Sequence, residues 1–152
     1  MSKEKPASKK EEKDEKKTAL TTSFATGKRR RAVAKASIKP GTGIVSLNAV
    51  PVEQIKNLTV RLLVQEPLII LGDACKKFNI KVTAKGGGII GQAQAARQAI
   101  AKALADVLGP ETRRLFMSYD RNMLVYDPRR TEPHKPPRSS QGPRRYKQRS
   151  KR

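Results

Sequence analysis

Cysteine, histidine and aromatic residues are scarce in this sequence. Its 152 residues include one cysteine (Cys75), one histidine (His134), no tryptophan and only 4% aromatics. A single thiol excludes a disulfide scaffold, and one Cys with one His leaves an ordinary Cys/His zinc site without its ligands. No run approaches the ~18 consecutive apolar residues of a transmembrane helix. The N-terminus, MSKEKPASKKEEKDEKK, lacks the apolar centre of a secretory signal. Acids are few as well: 13 Asp+Glu stand against 34 Lys+Arg, for a net charge of +21. Charge of that size opposes compaction by self-repulsion unless a polyanion neutralises it. Apolar residues make up 36%, little for a compact enzyme of this length. These absences point to a soluble, intracellular chain with a polyanionic partner.

What is present is unevenly placed. Residues 1–19 carry seven lysines and five acids, a charge-mixed composition expected to be disordered when free. The extension as a whole spans residues 1–26. Residues 27–127 hold nearly all the hydrophobicity and form the expected globular domain. Residues 128–152 hold ten basic groups, one acid (Glu132) and five of the ten prolines. Pro128, Pro133, Pro136, Pro137 and Pro143 remove amide donors and bias their predecessors toward extended backbone. This segment reads as an extended basic C-terminal arm with a reach of up to roughly 75 Å. A solubilising or localisation tail would look similar. Its richness in arginine (Arg129, Arg130, Arg138, Arg144, Arg145, Arg149, Arg152) argues for phosphate, which guanidinium binds bidentately.

Within the body, KRRRAVAKASI (28–38) alternates as a strand, with Ala32, Ala34, Ala36 and Ile38 on one face. The small alanines imply a closely packed neighbour. Pro40–Gly43 reads as a turn, and Ile44–Leu47 as a second strand that would close a hairpin with the first. Asn48-Ala49 precedes a short extended piece, Val50–Val52. Asn57 is a candidate N-cap of a helix whose Leu58, Arg61, Leu62 and Gln65 share a face; Pro67 would open a second short helix ending at Gly72. FNIKVTA (78–84) is a further strand, broken by Gly86-Gly87-Gly88. The clearest helix runs from about Ile90 to Leu108, with Ala93, Ala96, Ile100, Leu104 and Val107 toward the sheet, and Gln94, Gln98, Lys102 and Asp106 off that stripe. Gly109-Pro110 ends it and starts a short helix, Glu111–Met117. The expected fold class is α+β, a small mixed sheet with helices packed on one face.

Two stretches resemble catalytic motifs. Gly86–Gly91 matches G-x-G-x-x-G after a strand and before a helix, the context of a dinucleotide fingerprint. The acid expected about 20 residues on is Glu111, at a helix start rather than a strand end, so a nucleotide enzyme is set aside. Gln92-Ala93 replaces the Lys-Ser/Thr of a P-loop. What remains is either glycine amides able to approach a phosphate closely or a permissive strand-to-helix turn. Cys75 and His134 are too far apart along the chain to form a pre-organised nucleophile pair, and Cys75 reads as a small, partly buried residue. Asp73, Asp120 and Asp127 read as caps, turn residues or partners for nearby arginines. No catalytic constellation remains. Lys28-Arg29-Arg30-Arg31, at the start of a strand, is either a solvated strand end or a phosphate-contacting edge. Alternation would send Lys28 and Arg30 to the Ala32 face and Arg29 and Arg31 to the other. With no aromatic platform evident, binding should follow backbone and shape, as for folded RNA.

Three separated segments resemble the small-subunit ribosomal protein nine family: GKRRRAVAKASIKPGTGIVSLN (27–48), KGGGIIGQAQAARQAIAKAL (85–104) and YDRNMLVYDPRRTEP (119–133), with a terminal SKR. The YDR…DPRRTEP wording resembles the archaeal and eukaryotic branch. The resemblance implies a ribosomal S5 domain 2-like body bound to ribosomal RNA in the small-subunit head, in the cytoplasm, without enzymatic activity or cofactor, beside neighbouring head proteins. It also implies an arm that reaches the decoding region and meets the anticodon stem-loop of peptidyl-site transfer RNA. By position, Lys28, Arg29, Arg30, Arg31, Gly86, Gly87 and Gly88 would meet RNA from the body. Arg129, Arg130, Arg138, Arg144, Arg145, Lys147 and Arg149 would follow ribosomal RNA along the arm, and Lys151 and Arg152 would contact transfer RNA. PHKPPRSSQGPRRYKQ (133–148) departs from the family's glycine- and arginine-rich wording. The competing reading is a free chromatin-type protein that uses the same two basic ends on any duplex. Its binding would be exchangeable and steeply salt-dependent.

Overall fold

The computed structural model describes residues 22–129. Five strands, β1 (Ser23–Arg29), β2 (Ala32–Pro40), β3 (Val45–Leu47), β4 (Val50–Pro51) and β5 (Phe78–Lys85), form one mixed sheet in the order β1-β2-β5-β3-β4. β1, β2 and β5 are antiparallel neighbours, β3 lies parallel to β5, and β4 returns antiparallel to β3. Three α-helices, α1 (Leu58–Leu71), α2 (Ile89–Leu108) and α3 (Pro110–Tyr119), complete the described body. The mixed α+β class is as the sequence pattern implies.

The alternation in β2 and β5 is realised. Ala32, Ala34, Ala36 and Ile38, with Ile80, Val82 and Ala84, are all buried on the helix-covered face. The small side chains let α2 approach. A Cβ on Gly27 of β1 would collide with the backbone carbonyl of Ala95, and Ala93, Ala95, Ala96, Ala99 and Ala103 are fully buried. Ile100 and Leu104 fill the remaining space, while Val107 is only half-buried. The buried surface of α2 is wider than one stripe because α1 and α3 also pack on it. Gln98, expected off the stripe, is consequently buried at 4% exposure.

Four expectations are corrected. Lys28–Ile38 is not one strand: Lys28 and Arg29 end β1, and Arg30-Arg31 form a two-residue hairpin turn, since Arg29 pairs with Ala32. β1 begins at Ser23, inside the stretch assigned to the N-terminal extension; its small and polar residues give little hydrophobic signal. β3 does not form a hairpin with β2. β2 pairs along its length with β1 and β5, whose matched alternation outcompetes a three-residue strand, and β3 takes the far side of β5. Pro67 does not start a second helix. Asn57 caps α1 as expected, its Oδ1 accepting from the Val60 amide at 3.3 Å, and the helix continues through Pro67 to Leu71. The buried Pro67 ring packs into the core and holds the helix across the missing amide donor. The face that turns inward is Val60, Val64 and Pro67, leaving Leu58 and Leu62 exposed.

Gly27→Ala is expected to destabilise the protein by about 1–3 kcal/mol, because the new methyl meets backbone that cannot yield without moving α2. Denaturant unfolding of the full chain checks it, and an unchanged midpoint would show that the helix seat is looser than the geometry implies.

Candidate nucleic-acid interface

The basic run occupies a tight turn. Arg30 sits at φ 52°, left-handed backbone that costs a non-glycine residue on the order of 1–2 kcal/mol. Hairpin turns of this length favour glycine or asparagine there, so the arginine is accommodated at a backbone cost. β2 begins against the end of β5, with Val33 opposite Lys85, so the turn lies beside the Gly86–Gly88 connection. A Cβ on Gly86 would stand 2.6 Å from the Arg31 carbonyl oxygen, and one on Gly87 3.2 Å from the Ala32 amide nitrogen. Gly86 and Gly87 also take φ of 77° and 64°. Close approach and backbone sign both require glycine, which is the permissive-turn reading. The same glycines lead into α2, whose N-cap Gly88 has no capping side chain. Arg30, Arg31, Gly87 and Gly88 line one shallow cleft with Ile89 and Gln94.

The fingerprint match has no dinucleotide fold behind it. α2 runs directly into α3, and the only strand parallel to β5 among the described residues is β3, which precedes it in the chain.

Arg29 differs from its neighbours. Because it pairs with Ala32 across the turn, it faces the helices together with Ala32, the reverse of the alternation expected for a continuous strand. Its Nε donates to Gln94 Oε1 at 2.9 Å, and its guanidinium pairs with Asp127, whose side chain is 11% exposed. Asp127 also accepts from the Arg129 amide at 3.0 Å and from Arg129 Nη2 at 3.0 Å. Two further clasps hold the same C-terminal segment. Gln98 accepts from the Lys28 amide at 2.8 Å and donates to the Val125 carbonyl at 2.7 Å, stapling β1 to that segment. Arg97 Nη2 donates to Glu66 at 2.7 Å and to Asp120 at 2.8 Å, tying α1 to the turn Arg121–Met123 that Asp120 caps through the Asn122 amide. Asp120 and Asp127 are therefore arginine partners, as expected, and Asp73 pairs with Lys76 at the surface.

Of the expected contacts, Arg29, Arg30, Arg31, Gly87, Gly88 and Arg129 thus cluster at one end of the body. Arg129 leaves from beside Arg29, in a recess that also includes Gln94 and Asn122. Arg130, Arg138, Arg144, Arg145, Lys147, Arg149, Lys151 and Arg152 lie outside the described residues. Reasoning from sequence missed Gln94 and Gln98 as fasteners. Their only signal was three polar residues, Gln94, Arg97 and Gln98, grouped in an alanine-rich helix.

Against known proteins, the model of the family described as ribosomal protein S9/S16 matches residues 27–152. The chain belongs to the ribosomal protein S9/S16 family. It is 43% identical over 125 residues to the small ribosomal subunit protein uS9 of Methanococcus maripaludis, covering 82% of this chain and 93% of that protein. It is 46% identical over 112 residues to the uS9 of Desulfurococcus amylolyticus, covering 73% and 80%. Both relatives are archaeal, in line with the branch that the wording of residues 119–133 resembles. Membership supports a structural, non-enzymatic role in the small subunit, with ribosomal RNA and ribosomal proteins as partners. No described helix is long and apolar enough to cross a membrane.

Two outcomes follow from this geometry. Asp127→Ala is expected to cost about 1–3 kcal/mol, between the values for exposed and buried ion pairs. It should also speed hydrogen exchange at Leu124 and Val125 while α2 stays protected; unchanged exchange would remove the clasp. Burial pushes the Cys75 thiol up to about 11. Cys75 should therefore resist iodoacetamide at pH 8 in the native protein and react in denaturant, as mass spectrometry would register.

Proposed function

We propose that this chain is a ribosomal-RNA-binding constituent of the small-subunit head. In this reading its body has the ribosomal S5 domain 2-like form and docks through the Arg30-Arg31 turn and the Gly86–Gly88 connection. Residues 128–152 form an extended arm that follows ribosomal RNA through Arg129, Arg130, Arg138, Arg144, Arg145, Lys147 and Arg149. Lys151 and Arg152 reach the anticodon stem-loop of peptidyl-site transfer RNA. The observation that carries the reading is the convergence of the turn and the arm's root at one end of the body, in a chain of this family. A phosphate backbone could run from the turn onto the arm without crossing an acidic surface: Asp127, the acid at that junction, is already engaged by Arg29 and Arg129.

Mechanistically, the body sets position and the arm lowers phosphate repulsion as it orders on RNA. Each charge-assisted contact of the terminal residues is worth on the order of 1–3 kcal/mol. The working place is the ribosome, in the cytoplasm.

Deleting Ser150–Arg152 should weaken peptidyl-site transfer-RNA binding by about tenfold or more while leaving subunit assembly intact. Unchanged affinity in a filter-binding assay would sink the transfer-RNA contact. Sedimentation with and without a high-salt wash tests the broader reading: one copy per small subunit after the wash is expected. A chain that washes off or runs with DNA would instead be a free nucleic-acid binder.

A further inference from the structure

Among the described residues, the helices cover one face of the sheet. On the other, the registers of β1, β2 and β5 bring their outward residues into three rows. Lys28, Val33 and Lys85 form one row, Thr26, Lys35 and Thr83 the next, and Phe24, Ser37 and Lys81 the third. Lysines therefore stand at the centre and at three corners, with Phe24 at the fourth corner. Rows are separated by about 7 Å and strands by about 4.8 Å, so Lys35 lies about 8 Å from each corner. All four lysines are exposed, and Phe24 is 75% exposed. The strands contain no Asp or Glu; every acid among the described residues lies on a helix or a connection. A shallow groove lined by Phe24, Val33, Lys35, Lys81, Thr83 and Lys85 crosses this face.

No carboxylate on these strands balances the lysines. Like charges that neighbour one another on a sheet destabilise it, and nothing on these strands offsets them. The compensating charge has to come from outside the sheet. We propose that the open face of β1, β2 and β5 is a second RNA-binding surface, separate from the turn and arm. Lys28, Lys35, Lys81 and Lys85 engage backbone phosphates, and an unpaired base stacks on Phe24. Lysines act there as point charges that follow a backbone without reading sequence. Ser37, Thr26 and Thr83 offer hydroxyls between them for phosphate or 2′-hydroxyl oxygens. An exposed phenylalanine bordered by cations is the arrangement that stacks single-stranded bases. It adds an aromatic contact where the sequence pattern, with no aromatic platform evident, implied binding by backbone and shape alone.

The inference rests on the reading of the chain as a ribosomal-RNA binder, and the test separates the two. Full-length chain is titrated with deproteinised small-subunit ribosomal RNA between 50 and 200 mM salt. Three proteins are compared: the natural sequence, the triple variant Lys35→Gln/Lys81→Gln/Lys85→Gln, and an equal-charge control, Lys56→Gln/Arg113→Gln/Arg114→Gln, in the connection before α1 and in α3. Circular dichroism checks that each is folded. The expected result is a slope of log K against log salt shallower by about 2–3 for the sheet variant, with the control close to the natural chain. Equal losses in both variants, or none in the sheet variant, overturn the sheet surface. Failure of the natural chain to bind overturns the underlying reading instead. Ultraviolet crosslinking in intact small subunits is the second arm. A nucleotide adduct on Phe24 is expected, and a crosslink from Phe24 to another protein or to residues 1–21 of this chain would overturn the proposal.

Discussion

The close seat of α2 on the sheet is the constraint from which the other features follow. It depends on small residues on both sides: Gly27 and Ala34 in the strands, Ala95 and Ala99 in the helix, with no Cβ tolerated at position 27. Packing at this distance contributes dispersion and apolar burial along the whole 20-residue helix. It also brings the side-chain amides of Gln94 and Gln98 within hydrogen-bond reach of β1. A bulkier interface would lift those amides away from Arg29 and Lys28, breaking the Gln98 staple between β1 and the C-terminal segment. The placement of the segment that ends at Arg129 thus depends in part on alanines in the middle of the core.

Charge is divided by role as much as by sign. The acids of the helices and connections are largely spent on internal partners: Glu66 and Asp120 on Arg97, Asp127 on Arg29 and Arg129. The exposed lysines of the sheet stand on strands that contain no carboxylate among the described residues. A body arranged this way carries self-repulsion that weakens it alone and that a polyanion relieves. Family membership supplies such a polyanion, ribosomal RNA, and the left-handed Arg30 shows backbone strain accepted at the turn that the proposed reading puts in contact with it.

Much of the element pattern was legible in order. The alternation of 32–38 and 78–84, the Asn57 cap, the glycine break at 86–88 and the long alanine-rich helix all reflect local periodicity and local capping chemistry. β1 escaped because SFATGKR carries one large apolar side chain and faces solvent with it. The pairing of β3 escaped because a three-residue strand contains too little pattern to choose a partner. The inward face of α1 was not legible, since Leu58 and Leu62 are as apolar as Val60 and Val64, and only packing against the rest of the body selects between them.

The sequence by itself determined the class of partner, the family and the alternating core of β2 and β5. These depend on composition, separated motifs and period-two patterning, which are properties of the chain read in order. Tertiary structure alone decided that Arg29 is a fastener while Arg30 and Arg31 remain at the turn, and that residues from three strands share one lysine-bearing face. Both follow from register: a two-residue turn and an antiparallel ladder assign each side chain to a face through its cross-strand partner, and that partner lies far away in sequence.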